Sequence, residues 1–286
     1  MMDKFFIISN TEKDQTLETA QSIIQYLKKR GKYCQIYQSD GDLSEHYRYT
    51  DLRKVPKDTE CILVLGGDGT IIQASRDLLN LQIPMVGINL GTLGYLAEVG
   101  RQSIEPLLEK LIDNEYYVED RMMIRGELER DGAIIHHDVA LNDIVLGRGG
   151  PLGIIQFDLY VNGEYLSHYK ADGMIIATPT GSTAYSLSAG GPILAPNGSM
   201  FVLTPICTHS LNSRSIVLPD DSVIELIYRG ENKRRSMAVV SYDADTSCWI
   251  KNGDTIRITC SEKKAKLIRI SKVSFLETLR KKMASQ

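Results

Sequence analysis

Cys61-Ile62-Leu63-Val64-Leu65-Gly66-Gly67-Asp68-Gly69-Thr70 is the stretch on which the fold turns. Its first five residues are apolar without alternation, the pattern of a strand buried on both faces of a parallel sheet. The run ends in glycines. Ile71 to Leu79 then carries a helical pattern, and Ile83 to Ile88 returns as a strand. A strand, a crossover helix and a second strand make a parallel pair with a right-handed connection. In open α/β sheets ligands bind beyond the carboxyl ends of the strands. Glycines there let the backbone approach a ligand and turn N–H groups towards phosphate. Asp68 stands among those glycines, which marks it for chemistry. The competing account is a tight turn whose acid caps the following helix.

The same alternation extends towards the N-terminus. Phe5 to Ser9 reads as a buried strand. Leu17, Ala20, Ile24 and Leu27 fall on one helical face, with Thr11 and Asp14 as a start and Lys28-Lys29-Arg30-Gly31 as a stop. Tyr33 to Gln38 is a second strand, and residues 39–58 form a polar loop with at most one short element. The spacing predicts another helix over Ser103 to Asp113. After Asp120 short strands dominate: Met122 to Leu128, Val139 to Leu146, Met174 to Thr178, Val223 to Tyr228, Met237 to Tyr242 and Thr255 to Cys260. Gln156 to Val161 and Glu164 to His168 flank Asn162-Gly163, a strong hairpin signal, and Asn252-Gly253 has the same turn chemistry. The fold class expected is therefore a parallel-sheet α/β domain over residues 1–100, then a β-sandwich-like domain over 101–265. Residues 266–286 return to the first domain and include a final helix from Ser274 to Met283.

Composition narrows the function. The 286 residues carry 33 Lys and Arg against 36 Asp and Glu, a net charge of −3, so the basic excess of a general nucleic-acid binder is missing. Anionic ligands must be held locally, not by a global field. The five cysteines are odd in number and form no Cys-x-x-Cys pair, which reads as small buried hydrophobes in a reducing compartment. The N-terminal apolar run is too short for a signal-peptide core, and no apolar run has the length of a membrane span. A cytoplasmic protein with no membrane or nucleic-acid partner is expected.

Further motifs follow in order. Asn89-Leu90-Gly91-Thr92-Leu93-Gly94-Tyr95-Leu96 also follows a strand, but it is not a Gly-x-Gly-x-x-Gly fingerprint, which weighs against a dinucleotide-binding dehydrogenase. Leu141-Asn142-Asp143-Ile144-Val145 sets two strand-breaking polar residues inside a strand pattern. Either a bulge or turn sits there, or a pair of groups aimed at sugar hydroxyls. The segment Asp172-Gly173-Met174-Ile175-Ile176-Ala177-Thr178-Pro179-Thr180-Gly181-Ser182-Thr183-Ala184-Tyr185-Ser186 places a strand between an acid and a run of small hydroxyl residues. No lysine precedes Ser182, so this is not a Walker A loop. Its hydroxyls and free N–H groups suit a nucleoside, and they also cap a short helix over Ala184 to Ala189. Arg148, Lys170, His209, Arg214 and the Lys233-Arg234-Arg235 run are the cations available to phosphates, the run reading more simply as a solvated hairpin. No protein-built metal site and no nucleophile elbow is present in the motifs.

Together these motifs resemble the NAD kinase family, with Cys207-Thr208-His209-Ser210-Leu211 fitting further along. The Gly-Gly-Asp-Gly motif alone is shared with diacylglycerol, sphingosine and phosphofructo-kinases. The Thr-Pro-Thr-Gly-Ser-Thr-Ala-Tyr-Ser segment is the more specific one. The resemblance implies transfer of a phosphoryl group from ATP, or from inorganic polyphosphate, to the 2′-hydroxyl of the adenosine ribose of NAD, with magnesium or another divalent cation accompanying the donor. It implies that Asp68 accepts the hydroxyl proton and that Gly69 lies against the same ligand. Asn142 and Asp143 would bind ribose hydroxyls and the pyrophosphate side, and Asp172 with Lys170 the nicotinamide half. Thr183, Ala184, Tyr185, Ser186 and Ser188 would wrap the adenine, and Tyr95 would close the other side. Asp245 falls where a relative uses a neutral amide. A homodimer or homotetramer is implied too. Departures from the family pattern stand at Gln73, where many members have Arg, and at Ser241-Tyr242-Asp243-Ala244-Asp245, which replaces a commoner Ser-x-Asp-Gly. A lipid kinase of the diacylglycerol type is the runner-up. It would need a membrane-facing surface, and the sequence has no basic amphipathic helix to provide one.

Overall fold

A computed structural model of the chain describes residues 1–37, 50–91, 94–150, 153–209, 213–230, 237–271 and 273–284. The chain divides into two compact units, Met1–Asp120 with Lys263–Gln286, and Arg121–Glu262.

The first unit is built on one sheet whose strands run in the order Tyr33–Ile36, Lys4–Ser9, Cys61–Gly66, Met85–Asn89, Ala265–Arg269, Tyr117–Arg121, with Val99–Gly100 beside Met85–Asn89. The pairs formed by its first four strands are parallel. Every residue of Cys61–Gly66 and of Met85–Asn89 is buried, which accounts for their unbroken apolar runs. Helix Glu18–Lys29 lays Ala20, Ile23 and Leu27 on this sheet. It opens later than Thr11 and Asp14 suggest, but Asp14 still serves it: its carboxylate accepts the N–H groups of Thr19 and Ala20. Leu52–Lys54 is a single 3-10 turn in the polar loop, of which residues 38–49 lie outside the described residues.

Two features of this unit correct the sequence reading. Helix Ile104–Ile112 buries Leu107, Leu108, Leu111 and Ile112 in the same core as Phe5, Leu63 and Val86. The boundary expected at residue 100 therefore falls at 120. The apolar face of this helix is complementary to the parallel sheet, and composition alone could not assign it to one side of the boundary. The C-terminal segment returns with a strand as well as a helix. Ala265–Arg269 enters the sheet with Leu267 opposite Met85, and helix Phe275–Ala284 follows. Lys263, Lys264 and Lys266 dilute the apolar pattern that would mark a strand here.

The second unit is a sandwich of two antiparallel sheets. One has the order Glu164–Ala171, Ile155–Val161, Ile224–Tyr228, Thr255–Cys260, Ile124–Arg130, Ala133–Ala140. The other runs Ile216–Pro219, Met200–Ile206, Gly173–Ala177, Asp143–Arg148, Ala238–Tyr242, Thr246–Ile250. Ile124, Leu128, Phe157, Leu226 and Ile256 of the first face Ile144, Leu146, Met174, Phe201, Val240 and Tyr242 of the second in one core. Asn162 and Gly163 both take positive φ, 52° and 79°, as a two-residue hairpin of primed type requires. The single strand expected over Val139 to Leu146 is in fact two strands, Ala133–Ala140 and Asp143–Arg148, one in each sheet, so Leu141 and Asn142 form a corner between the sheets.

Candidate active site

The first unit places Asp68 at the opening of helix Asp68–Asp77, with Gly67 as N-cap in extended conformation. Asp68 does not cap that helix. Its carboxylate reaches out to the second glycine motif, where Tyr95 N–H donates to Oδ2 at 2.7 Å and Leu96 N–H to Oδ1 at 3.2 Å. An ionised carboxylate has about four acceptor positions, so two bonds leave room for another donor. Gly94 makes the approach possible, since a Cβ there would stand 2.0 Å from Asp68 Oδ1. The Asn89 side chain shapes the same turn, its amide donating to Gly91 O at 2.8 Å and its oxygen accepting from Gly91 N–H at 3.2 Å. Thr92 and Leu93 lie outside the described residues. Gly69 is exposed, with nothing within 4 Å of where a Cβ would stand. Tyr95 is half-buried, and its ring lies 5.7 Å from Lys282 Nζ. Burial, with the Asp68 charge adding to it, holds the Tyr95 hydroxyl above its ordinary pKa.

In the second unit the Leu141–Asp143 corner is clamped by an acid from a distant turn. Asp243 accepts the N–H groups of Leu141, Asn142 and Asp143 at 2.8, 2.7 and 3.1 Å, and its own N–H donates to Asp143 O at 3.0 Å. The clamp needs a tight return of the chain, and Asp243 and Ala244 take φ of 50° and 56° to provide it. Thr178 closes the other side. Its hydroxyl donates to Leu141 O, its N–H donates to Asn142 O at 2.8 Å, and its hydroxyl accepts Gly181 N–H at 3.1 Å. Gly181 packs directly on the corner, where a Cβ would stand 2.0 Å from Asn142 O. The backbone is thus fully engaged, while the Asn142 side chain has no partner among the described residues. Asp143 is only 5% exposed. Burial first, and then the neighbouring Asp243 charge, push its carboxyl up to about 7.

The Thr178-to-Ser188 segment folds as a 3-10 turn, Gly181–Thr183, and a single helical turn, Tyr185–Ser188. Thr183 donates to Thr180 O at 3.2 Å, and Ser182 donates to Pro179 O and accepts from Leu194 N–H. Tyr185 is 48% exposed, and Ser188 is exposed beside half-buried Thr183 and Ala184. Ser186 is fully buried and shares a 3.0 Å hydrogen bond with Thr204. Asp172 follows strand Glu164–Ala171 and lies 3.7 Å from Arg148 Nη2, so one of the cations offered to phosphates is already beside an acid. Lys170 is exposed on the same strand, and its carbonyl accepts His209 N–H at 2.9 Å. Arg214 donates to Ser213 O. Asp245 is half-buried in the turn after Tyr242, its N–H donating to Tyr242 O. The Lys233-Arg234-Arg235 run, with Ser210 and Leu211, lies outside the described residues.

Sequence reasoning missed Asp243 and Thr178 as the groups that shape the corner. The visible signal was Asp243 itself, an acid in the short polar stretch between two apolar strands. Its partners at 141–143 are about a hundred residues away, and no local pattern connects them.

Comparison with known proteins agrees along the whole chain. Residues 5–116 match the ATP-NAD kinase N-terminal domain and residues 141–270 the ATP-NAD kinase C-terminal domain. The NAD kinase of Lachnospira eligens is 45% identical over 294 residues, covering 99% of this chain and 100% of its own. That of Lachnoclostridium phytofermentans is 42% identical over 288 residues, with both chains covered in full at 100%. Among solved structures, yeast NADH kinase complexed with NADH superposes with a TM-score of 0.84 at 25% identity, covering 99% of this chain and 88% of that one. An NAD kinase from Archaeoglobus fulgidus in complex with ATP gives 0.76 at 25% identity, covering 99% of each.

Proposed function

The chain belongs to the NAD kinase family, and on that premise we propose that it transfers the γ-phosphoryl group of ATP to the 2′-hydroxyl of the adenosine ribose of NAD. The observation that carries the reading is the Asp68 carboxylate, fixed by two backbone N–H groups at the carboxyl end of a buried strand and still able to accept. The 2′-oxygen forms a bond to the γ-phosphorus, the bond from that phosphorus to the bridging oxygen of ADP breaks, and the hydroxyl proton passes to Asp68. A carboxylate is a far weaker base than an alkoxide. Asp68 therefore orients the hydroxyl first and takes the proton late, once the oxygen is bonding to phosphorus. Phosphoryl transfer demands positioning and charge neutralisation more than covalent help. The backbone N–H groups of the glycine motif would supply part of the neutralisation, and a divalent cation bound with the donor's phosphates would supply the rest.

Residue by residue, Gly69 lies against the ribose, and Asn142 and Asp143 hold ribose hydroxyls and the pyrophosphate side. Thr183, Ala184, Tyr185 and Ser188 receive the adenine, with Tyr95 against the ligand as well. Asp172 and Lys170 take the nicotinamide half, and Asp245 contributes at the edge. The Asn142 amide, without a partner among the described residues, and the exposed ring of Tyr185 support these roles. The fitting assembly is a homodimer or homotetramer in the cytoplasm. Among the described residues no helix is long and apolar enough to cross a membrane.

The test is a coupled assay of the purified chain with NAD, ATP and magnesium, in which an NADP-specific dehydrogenase reads the product. NADP forms with ATP as donor. Absence of NADP with ATP and with polyphosphate alike would overturn the reading.

A further inference from the structure

The turn that holds Asp68 is itself held from the C-terminal strand. Leu96 is engaged at both ends: its N–H donates to Asp68, and its carbonyl accepts from Arg269 Nη1 at 3.1 Å. The same guanidinium spans two acids, with Nη1 on Glu98 Oε2 at 3.1 Å and Nε on Glu119 Oε2 at 3.0 Å. Glu98 carries its own load. Oε1 accepts the N–H groups of Ile270 at 3.0 Å and Ser271 at 2.6 Å, and the Glu98 N–H donates to Gly87 O in the sheet at 2.9 Å. The side chains of Arg269 and Glu98 are 11% and 3% exposed, so this ion pair is shielded from solvent and fixed by hydrogen bonds on both partners.

This arrangement does more than tie the last strand to its neighbours. Asp68 is oriented by two N–H groups from one turn, and Gly94, the residue before them, has no side chain with which to brace that turn. The direction of the carboxylate is then only as well defined as the path of residues 94–98. Arg269 and Glu98 hold that path through the Leu96 carbonyl and the Glu98 side chain. We propose that Arg269, oriented by Glu98, is a positioning residue for phosphoryl transfer: by fixing the Leu96 carbonyl it fixes the turn that aims Asp68 at the acceptor hydroxyl. The proposal rests on the reading of Asp68 as proton acceptor. It assigns a share in the reaction to the C-terminal strand, which none of the sequence motifs touches.

Geometry of this kind acts on the transition state more than on ground-state binding, so it belongs in kcat. Arg269→Lys keeps the charge between Glu98 and Glu119 but loses the planar fork that serves Leu96, Glu98 and Glu119 together. Glu98→Gln keeps an acceptor for Ile270 and Ser271 and weakens only the grip on Arg269. Both variants are assayed as full-length enzyme, with rates counted per mole of NAD-binding protein so that unfolded material does not enter. For Arg269→Lys the expected result is a fall in kcat of about ten- to a hundredfold, with KM for NAD and for ATP kept within about twofold. Glu98→Gln shows a smaller loss of the same kind. Parental kcat per binding-competent molecule in both variants, or a loss confined to KM, overturns the proposal. Asp68→Asn run alongside separates the two claims. If it is inactive while Arg269→Lys turns over normally, only the positioning role fails. If Asp68→Asn itself turns over normally, the proton-acceptor reading fails and the positioning role with it.

Discussion

Asp143 shows at the scale of one residue how much a sequence reveals and how much it withholds. That Asn142 and Asp143 interrupt a strand was legible, because both residue types are disfavoured there. That Asp143 ends up 5% exposed beside a second carboxylate was not, since Asp243 lies a hundred positions on. Burial and that neighbour raise its pKa to about 7. The unfolded chain releases this proton near pH 4. Between about pH 4 and pH 7 the folded state binds a proton that the unfolded state does not, so stability falls as pH rises through that window and levels off above it. Asp143→Asn removes the titration. The expected outcome is equal stability near pH 4.5 and a gain of roughly 2–4 kcal/mol for the variant by pH 8, read from urea midpoints across the range. A constant difference between parent and variant at all pH values contradicts the assignment.

The corner between the two sheets of the second unit is the element that the geometry explains best. Three successive N–H groups converge on Asp243, and two carbonyls of the same corner accept from Thr178. Removing the acid leaves those N–H groups without their acceptor. Asp243→Ala is expected to cost about 2–4 kcal/mol, since each unsatisfied buried group costs about 1–3 kcal/mol and water recovers part of it. Asp243→Asn, which keeps one acceptor oxygen, falls between the two. Urea midpoints at constant m-value measure this, and on the proposed role of Asn142 the KM for NAD is expected to rise in Asp243→Ala, whose corner backbone loses its clamp. The hairpin at Asn162-Gly163 makes the contrast. Its instructions are adjacent in sequence, and the strands Ile155–Val161 and Glu164–Ala171 pair as the turn dictates. Strands at Met200–Ile206, Ile216–Pro219 and Thr246–Ile250 escaped notice because threonine, proline or serine interrupts their alternation.

For the whole molecule, the parallel sheet and the β-rich second half could be read from runs, spacing and turns, whereas the closing of the first sheet by residues 265–269 could not. Ala265, Leu267 and Ile268 are buried between strands that precede them by more than a hundred residues. Ending the chain after Glu262 strips this strand out of the sheet and leaves the second unit whole. Loss of two fully buried aliphatic side chains alone costs about 3–6 kcal/mol, a large part of a usual domain stability. The truncated chain is expected to lose protection from hydrogen exchange throughout residues 1–120 and keep it over 121–262. Even protection across both would contradict the two-unit account. The net charge of −3 also gains a meaning at this scale, because both substrates are anionic. On the proposed reaction that charge would be met by backbone N–H groups and by a cation accompanying the donor, so no basic surface is required. All of this converges on one carboxylate, and the most direct measurement is turnover of Asp68→Asn beside the parent, with NAD affinity determined on the same samples. In Asp68→Asn kcat is expected to fall about 10²–10⁴-fold with NAD binding still measurable; turnover close to that of the parent would contradict Asp68 as the proton acceptor.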